Sequence, residues 1–306
     1  MIWACGAIAH SFNVKIKSEL VSPISLLSGP ACACVFLDVG SNVGVHVRKL
    51  YEPGRYNRSP YTGIFEKVFG QNGCGNRDAV CSVAFEANPA HHLRQQMLVR
   101  HNQQRSRNAW AVNAAVGPPT GWLTFQSGYA SGETIADHEA WGFGLNTKNG
   151  SGPHAEVYAI SLSQFVLRYL HRPQLVLMKM DIEGGEYAVL DDMVESGAVK
   201  FIDTMTAEFH RGAMSPQDYG DQKRTWKAKL AAHGCTLEMI DDESDLHDPV
   251  PLQLDLSFLG PAPQRRTPEP ESQGSTTSEH SPRNRHPQSD SHSRQTTILA
   301  DSEKAA

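Results

Sequence analysis

The sequence predicts an α/β fold of the Rossmann-like kind: a mostly parallel seven-stranded sheet, helices on both faces and an antiparallel hairpin at one edge. Three observations carry this expectation. Short apolar runs alternate with helical patterns through the middle of the chain. The first run, Val35–Val39, passes directly into a glycine turn. The last two runs, Thr236–Ile240 and Leu252–Phe258, follow one another with no helix between them.

Each element has a local reason. Val35–Val39 is a short run of the kind buried on both sides of a sheet. Ala79–Phe85 is a second strand ending at Glu86, and Pro89 suits the first position of a helix through His91–Arg100, where its missing N–H costs nothing. Ala109–Ala115 is a third strand, and Gly121–Phe125 forms a β excursion with it. Ser161 can cap a helix through Tyr169. Leu175–Met180 is the next strand, followed by a helix over Tyr187–Glu195 that stops near Gly197. Phe201–Phe209 is another strand, and a helix over Lys223–His233 closes at Gly234. The stretch 52–78, rich in Gly, Asn, Arg and Tyr, breaks this rhythm and reads as an insertion.

The domain is expected over 35–260, after an N-terminal extension, 1–34. Beyond Pro261 the chain is dominated by Pro, Ser, Arg and His, and cannot bury enough apolar surface to offset its ordering entropy. A disordered tail is expected over 261–306.

The chain has 306 residues, 40% of them hydrophobic, and a formal net charge of −5, so no global basic field would hold nucleic acid. Its six cysteines form no C-x-x-C pair and read as free thiols of a reducing, cytoplasmic setting. No stretch is apolar for long enough to span a bilayer. The first ten residues lack a basic segment, so no secretory signal is expected, while an organellar transit peptide stays open.

Three motifs carry the chemistry. In VFLDVGSNVG, residues 35–44, a strand delivers Asp38 and a turn bracketed by Gly40 and Gly44 to the start of a helix. Asn42 stands where a dinucleotide fingerprint needs its middle glycine, and Asp38 suits an ammonium group better than a pyrophosphate. In AFEANP, residues 84–89, Glu86 ends a strand where a carboxylate can accept both hydroxyls of a ribose, or can cap the following helix. In KMDIEGGEY, residues 179–187, Asp181, Glu183 and Glu186 gather just past a buried strand, with Lys179 on that strand's end. Ligands of open α/β sheets bind beyond such strand ends, so this loop should face the same cleft as Gly40–Gly44.

The chain resembles the FkbM family of class I S-adenosylmethionine-dependent methyltransferases. The resemblance rests on FLDVGSNVG, FEANP, VNAAVG at 112–117 and above all MKMDIEGGEYAVL at 178–190, in the family's order. It implies a class I methyltransferase sheet with S-adenosyl-L-methionine as cofactor. It places Asp38, Gly40, Asn42 and Gly44 around the methionine part, Glu86 on the ribose, Asn113 and Ala114 near the adenine, and Asp181 and Glu183 beside the transferred methyl.

The resemblance also points to O-methylation of a small molecule or carbohydrate, with Asp181 or Glu183 orienting or deprotonating a hydroxyl. His210, in AEFHR at 207–211, is an alternative base or a strand-end histidine held by a loop. No metal is expected, although Glu208 and His210 could join Asp181 around a divalent ion. The rival readings are a non-catalytic binding protein and an NAD-dependent oxidoreductase. Trp122, Tyr129 and Trp141 could touch a ring-shaped acceptor but are given no role.

Overall fold

The structure is a computed structural model that describes residues 27, 30–70, 74–118, 120–126, 154–172, 174–211, 214–240 and 242. All of them lie in one compact unit, Met1–Phe258. The expected tail, the strand over 252–258, Tyr129 and Trp141 fall outside the described residues.

Strands β1 (Cys34–Val39), β2 (Cys81–Phe85), β3 (Ala109–Val112), β7 (Leu175–Met180), β8 (Thr204–Ala207) and β9 (Thr236–Met239) form a sheet in the order β3-β2-β1-β7-β8-β9. All five pairings are parallel. The Rossmann-like α/β fold is therefore as expected, with six strands among the described residues. β9 joins β8 in parallel, because the helix before it returns the chain to the same end of the sheet; the second strand of the expected edge hairpin lies outside the described residues.

Alternation along β1 sorts its side chains. Val35, Leu37 and Val39 enter one core with Val83, Met178 and Met180, whereas Cys34 and Phe36 enter the other with Ala84 and Leu177. The first core is closed by helices α4 (Leu162–Tyr169), α5 (Glu186–Glu195) and α6 (Pro216–Ala232), through Phe165, Leu190 and Trp226. The second is closed by α1 (Val45–Tyr51), α2 (Pro60–Phe65) and α3 (His92–Gln103), through Leu50, Phe65 and Leu98. Side-chain caps set two of these helices: Ser161 accepts from Gln164 N, as expected, and Ser215 from Asp218 N, so that α6 starts well ahead of the expected Lys223.

The insertion is thus a packing layer. Tyr61, Ile64, Phe65, Val68 and Phe69 are all buried, and Phe65 meets Phe36 edge to face, centroids 5.0 Å apart. The β excursion also differs from expectation. β4 (Ala115–Val116), β5 (Gly121–Gln126) and β6 (His154–Ile160) make a separate three-stranded sheet, in which β5 pairs with β6 in antiparallel fashion, not with the Ala109–Val112 strand. Trp122 lies half exposed on it, edge to face with Tyr158.

The free-thiol reading does not hold. Cys32 pairs with Cys81 and Cys34 with Cys74, which leaves Cys235 as the free cysteine of the described residues. The register places Val35 beside Cys81, so the start of β1 brings the first pair together, and alternation sends Cys32 and Cys34 to opposite faces. Scattered spacing in the sequence carries no trace of this proximity. Disulfides persist in oxidising compartments, so the two bridges count against the reducing, cytoplasmic setting. Packing also begins ahead of residue 35: Leu27 is fully buried, and Gln174 Nε2 donates to Leu27 O and Cys32 O. No helix of the described residues is long and apolar enough to cross a membrane.

Candidate active site

The C-terminal ends of β1, β2, β7, β8 and β9 and the start of the small sheet border one cleft. Its lining includes Gly40–Val43, Glu86, Ala114, Lys179, Asp181–Gly185, Glu208 and Asp242. All three sequence motifs meet there, as expected for a ligand site above an open sheet.

The glycine turn is locked from every side. Gly40 N and Ser41 N both donate to Phe85 O, and Gly40 adopts φ +78° with its α-carbon against β7: a Cβ would lie 1.6 Å from Asp181 O. Glycine is required there. Asn42, also at positive φ, donates its N–H to Glu86 Oε2 at 2.6 Å and accepts from Gln95 Nε2 at 2.6 Å. Its own Oδ1 is buried without a hydrogen-bond partner. Gly44 does not line the cleft; at φ +83° it lets Leu98 pack against the turn.

Asp38 is placed differently from its expected role. It is fully buried under the turn, accepts from Ser41 Oγ at 2.7 Å and does not line the cleft. Burial raises its pKa, against the opposing pull of Lys179. The β1–β7 register sets Lys179 beside Asp38, and the ammonium reaches Gly40 O at 2.6 Å, Asp181 Oδ2 at 3.3 Å and Asp38 Oδ1 at 3.9 Å. Burial alone would lower the Lys179 pKa; Asp181 and Asp38 more than offset this and hold it protonated. Lys179 therefore ties the glycine turn to the DIEGG segment.

Glu86 lines the cleft with both oxygens engaged, Oε2 by Asn42 N and Oε1 by Asn88 N at 2.7 Å. The turn Pro89–His91 that leads into α3 is capped by Asn88, which accepts from Ala90 N. Each carboxylate oxygen keeps a second lone pair for a ligand hydroxyl. Burial pushes the Glu86 pKa up to about 7, against the two N–H donors. Ala114 lines the cleft beside Phe85 and Val116; Asn113 does not line it.

Past β7, Glu186 is fully buried at the start of α5, accepts from Ile182 N and Gly184 N, and meets His210 Nδ1 at 2.7 Å. That contact turns His210 Nε2 towards Glu183 at 3.3 Å, Glu208 at 3.8 Å and Asp181 at 4.0 Å. Burial would lower the His210 pKa, but Glu186, Glu183 and Asp181 push it up to about 9. At neutral pH His210 is a cation among carboxylates rather than a base. Asp181, Glu183 and His210 bring one donor atom each within 4.8 Å of one another, a spacing that would suit a divalent ion. The imidazolium already supplies positive charge there. Glu183 sits at φ +55°, and burial raises its pKa, with His210 opposing.

Several cleft residues carry no legible signal in the sequence. Tyr61 comes from the insertion, and its hydroxyl lies 2.9 Å from Thr206 Oγ1. Asp242 is held by Lys49 at 3.0 Å and Ser59 at 2.6 Å. His46, two residues past Gly44, reads in sequence as an ordinary helix residue.

Fold and site together define a Rossmann-like α/β domain with a cleft at the carboxyl edge of its sheet. The model of the family described as the methyltransferase FkbM domain matches residues 38–228, more than half of the chain. The chain belongs to this family of methyltransferases. No curated protein and no solved structure matches it.

Proposed function

We propose that the chain transfers a methyl group from S-adenosyl-L-methionine to a hydroxyl of a small molecule or carbohydrate. The supporting observation is the convergence of the locked Gly40–Gly44 turn, Glu86 and the Asp181–Glu183 segment on a single cleft.

The residues present suit that cofactor. The unpartnered Asn42 Oδ1 offers an acceptor to its ammonium group, Glu86 keeps lone pairs for the ribose hydroxyls, and Phe85, Ala114 and Val116 give the adenine an apolar wall, with Asn113 adjacent in sequence. Asp38 and Gly44 act indirectly, by holding the shape of the turn. When bound, the sulfonium supplies an electrophilic methyl carbon. The chain's own work is to align the acceptor oxygen with that carbon and to take up the hydroxyl proton. Glu183 fits the second task best, because burial makes it a stronger base than an exposed glutamate, and Asp181 orients the hydroxyl. His210 balances their charge.

A dinucleotide suits this cleft poorly. Asn42 N is already committed to Glu86, and Glu86, Asp181, Glu183 and Glu208 would oppose a pyrophosphate. The test is methyl transfer from radiolabelled S-adenosylmethionine to a panel of hydroxylated acceptors. Glu183→Gln and Asp181→Asn should lower turnover by about 10²-fold or more while the fold survives. Unchanged turnover in both would remove the carboxylates from the mechanism. Cofactor binding by the wild type with no transfer to any acceptor would favour a non-catalytic binding protein.

A further inference from the structure

His46 is unused in the roles above. Its side chain is 4% exposed, it lines the cleft, and neither ring nitrogen has a hydrogen-bond partner among the described residues. A neutral imidazole carries one donor and one acceptor, and buried polar groups are nearly always paired, so two open positions on one cleft-lining ring point to a ligand.

The ring is also held in place. It packs edge to face on Tyr61, centroids 4.4 Å apart, and Tyr61 is fixed in turn by Thr206 on β8. This chain of contacts runs towards β7 and β8, whereas Glu86 and Ala114 follow β2 and β3 at the other side of the sheet order. His46 therefore belongs to the half of the cleft away from the proposed ribose and adenine contacts. Tyr61, Glu208, Ile240 and Asp242 line the cleft with it.

The ligand chemistry follows from the ring. Burial, with Lys179 and Lys49 adding positive charge, keeps the His46 pKa well below its ordinary value, so the imidazole is neutral. A hydroxyl can donate to the unprotonated ring nitrogen or accept from the protonated one, so it fits whichever tautomer is present. An ammonium can only donate and a carboxylate can only accept, so each suits one ring nitrogen and not the other.

We propose that His46 binds the methyl acceptor, its ring hydrogen-bonding an uncharged hydroxyl in a subsite walled by Tyr61 and Glu208. The proposal rests on the methyl-transfer reading and names the acceptor-facing residue of that site.

The test is ring-nitrogen NMR on the full chain labelled with ¹⁵N-histidine. His46→Phe, which keeps the contact with Tyr61, assigns the His46 signals; His46→Gln serves if the first variant does not fold. S-adenosylhomocysteine is titrated first, with calorimetry in parallel, and then methyl glucoside or glycerol is added to the saturated protein. The expected result is cofactor affinity within about twofold between wild type and variant. The His46 signals should move only on addition of the hydroxylic probes. Movement that saturates with S-adenosylhomocysteine alone would assign His46 to the cofactor and overturn the proposal. No movement with any probe would overturn it equally. Absence of cofactor binding would instead sink the methyl-transfer reading itself.

Discussion

Replacing Lys179 with methionine isolates the charge that ties the glycine turn to β7. The substitution keeps most of the length of the side chain and removes an ammonium that lies 2.6 Å from Gly40 O and 3.9 Å from Asp38 Oδ1. Asp38, fully buried, then keeps its hydrogen bond from Ser41 but loses the ammonium that faces it. Breaking a buried charge pair by removing one partner costs about 3–5 kcal/mol, mainly because the other charge stays desolvated. That cost has a pH signature. The folded-state pKa of Asp38 is already raised by burial, and losing Lys179 raises it further. An acid whose folded pKa exceeds its unfolded value destabilises the fold as pH climbs through that folded pKa. The penalty for Lys179→Met should therefore be larger at pH 8 than at pH 4, because uptake of a proton by Asp38 at the lower pH relieves the unpaired buried charge. Urea unfolding of wild type and variant at both pH values measures it, and Lys179→Met combined with Asp38→Asn should recover part of the loss. A penalty below about 1 kcal/mol, or one equal at both pH values, would refute the coupling of Lys179 to Asp38.

Three further outcomes follow from the same geometry. Gly40→Ala forces a side chain into a left-handed conformation, costing about 1–2 kcal/mol, and onto Asp181 O; S-adenosylhomocysteine affinity should fall at least tenfold by calorimetry, and wild-type affinity would show that the turn relaxes freely. The His210 pKa is raised to about 9, so its pairing with Glu186, Glu183 and Asp181 stabilises the fold fully below about pH 6.5 and fades as pH rises through 9. Wild type should lose about 2 kcal/mol across that window, after discounting for solvent screening, and His210→Gln should not; parallel pH profiles would contradict the assignment. Reducing the disulfides Cys32–Cys81 and Cys34–Cys74 opens loops of 49 and 40 residues, each worth about 4 kcal/mol in the chain-entropy model. Thermal unfolding with and without reductant should differ by many degrees, and an unchanged midpoint would show that the bridges do not constrain the chain.

The sequence makes the sheet legible because parallel strands are apolar on both sides, and Val35–Val39 and Leu175–Met180 have few other interpretations. The site was legible in outline for a related reason: glycines and carboxylates immediately after such strands have few structural uses. What escaped was long-range. The bridges of Cys32 and Cys34 depend on the register between β1 and β2 and on the path of the insertion. β6 has a polar start and pairs across a long gap in sequence, so no local pattern announces it. Asp38 reads as a ligand contact because a charge at a strand end usually faces solvent or substrate; here strand register pairs it with Lys179 beneath the turn. His46 looks like any residue of an amphipathic first turn until the fold sets it in the cleft without a partner.

The most direct test of the account is calorimetric titration of the full chain with S-adenosylhomocysteine, with NAD as the comparison ligand. Saturable binding, weakened at least tenfold in Glu86→Ala and absent for NAD, is the predicted result, since losing a charged hydrogen-bonding group costs about 1.5–3 kcal/mol. A folded protein that binds no S-adenosylhomocysteine, or that binds NAD in the same cleft, would contradict it.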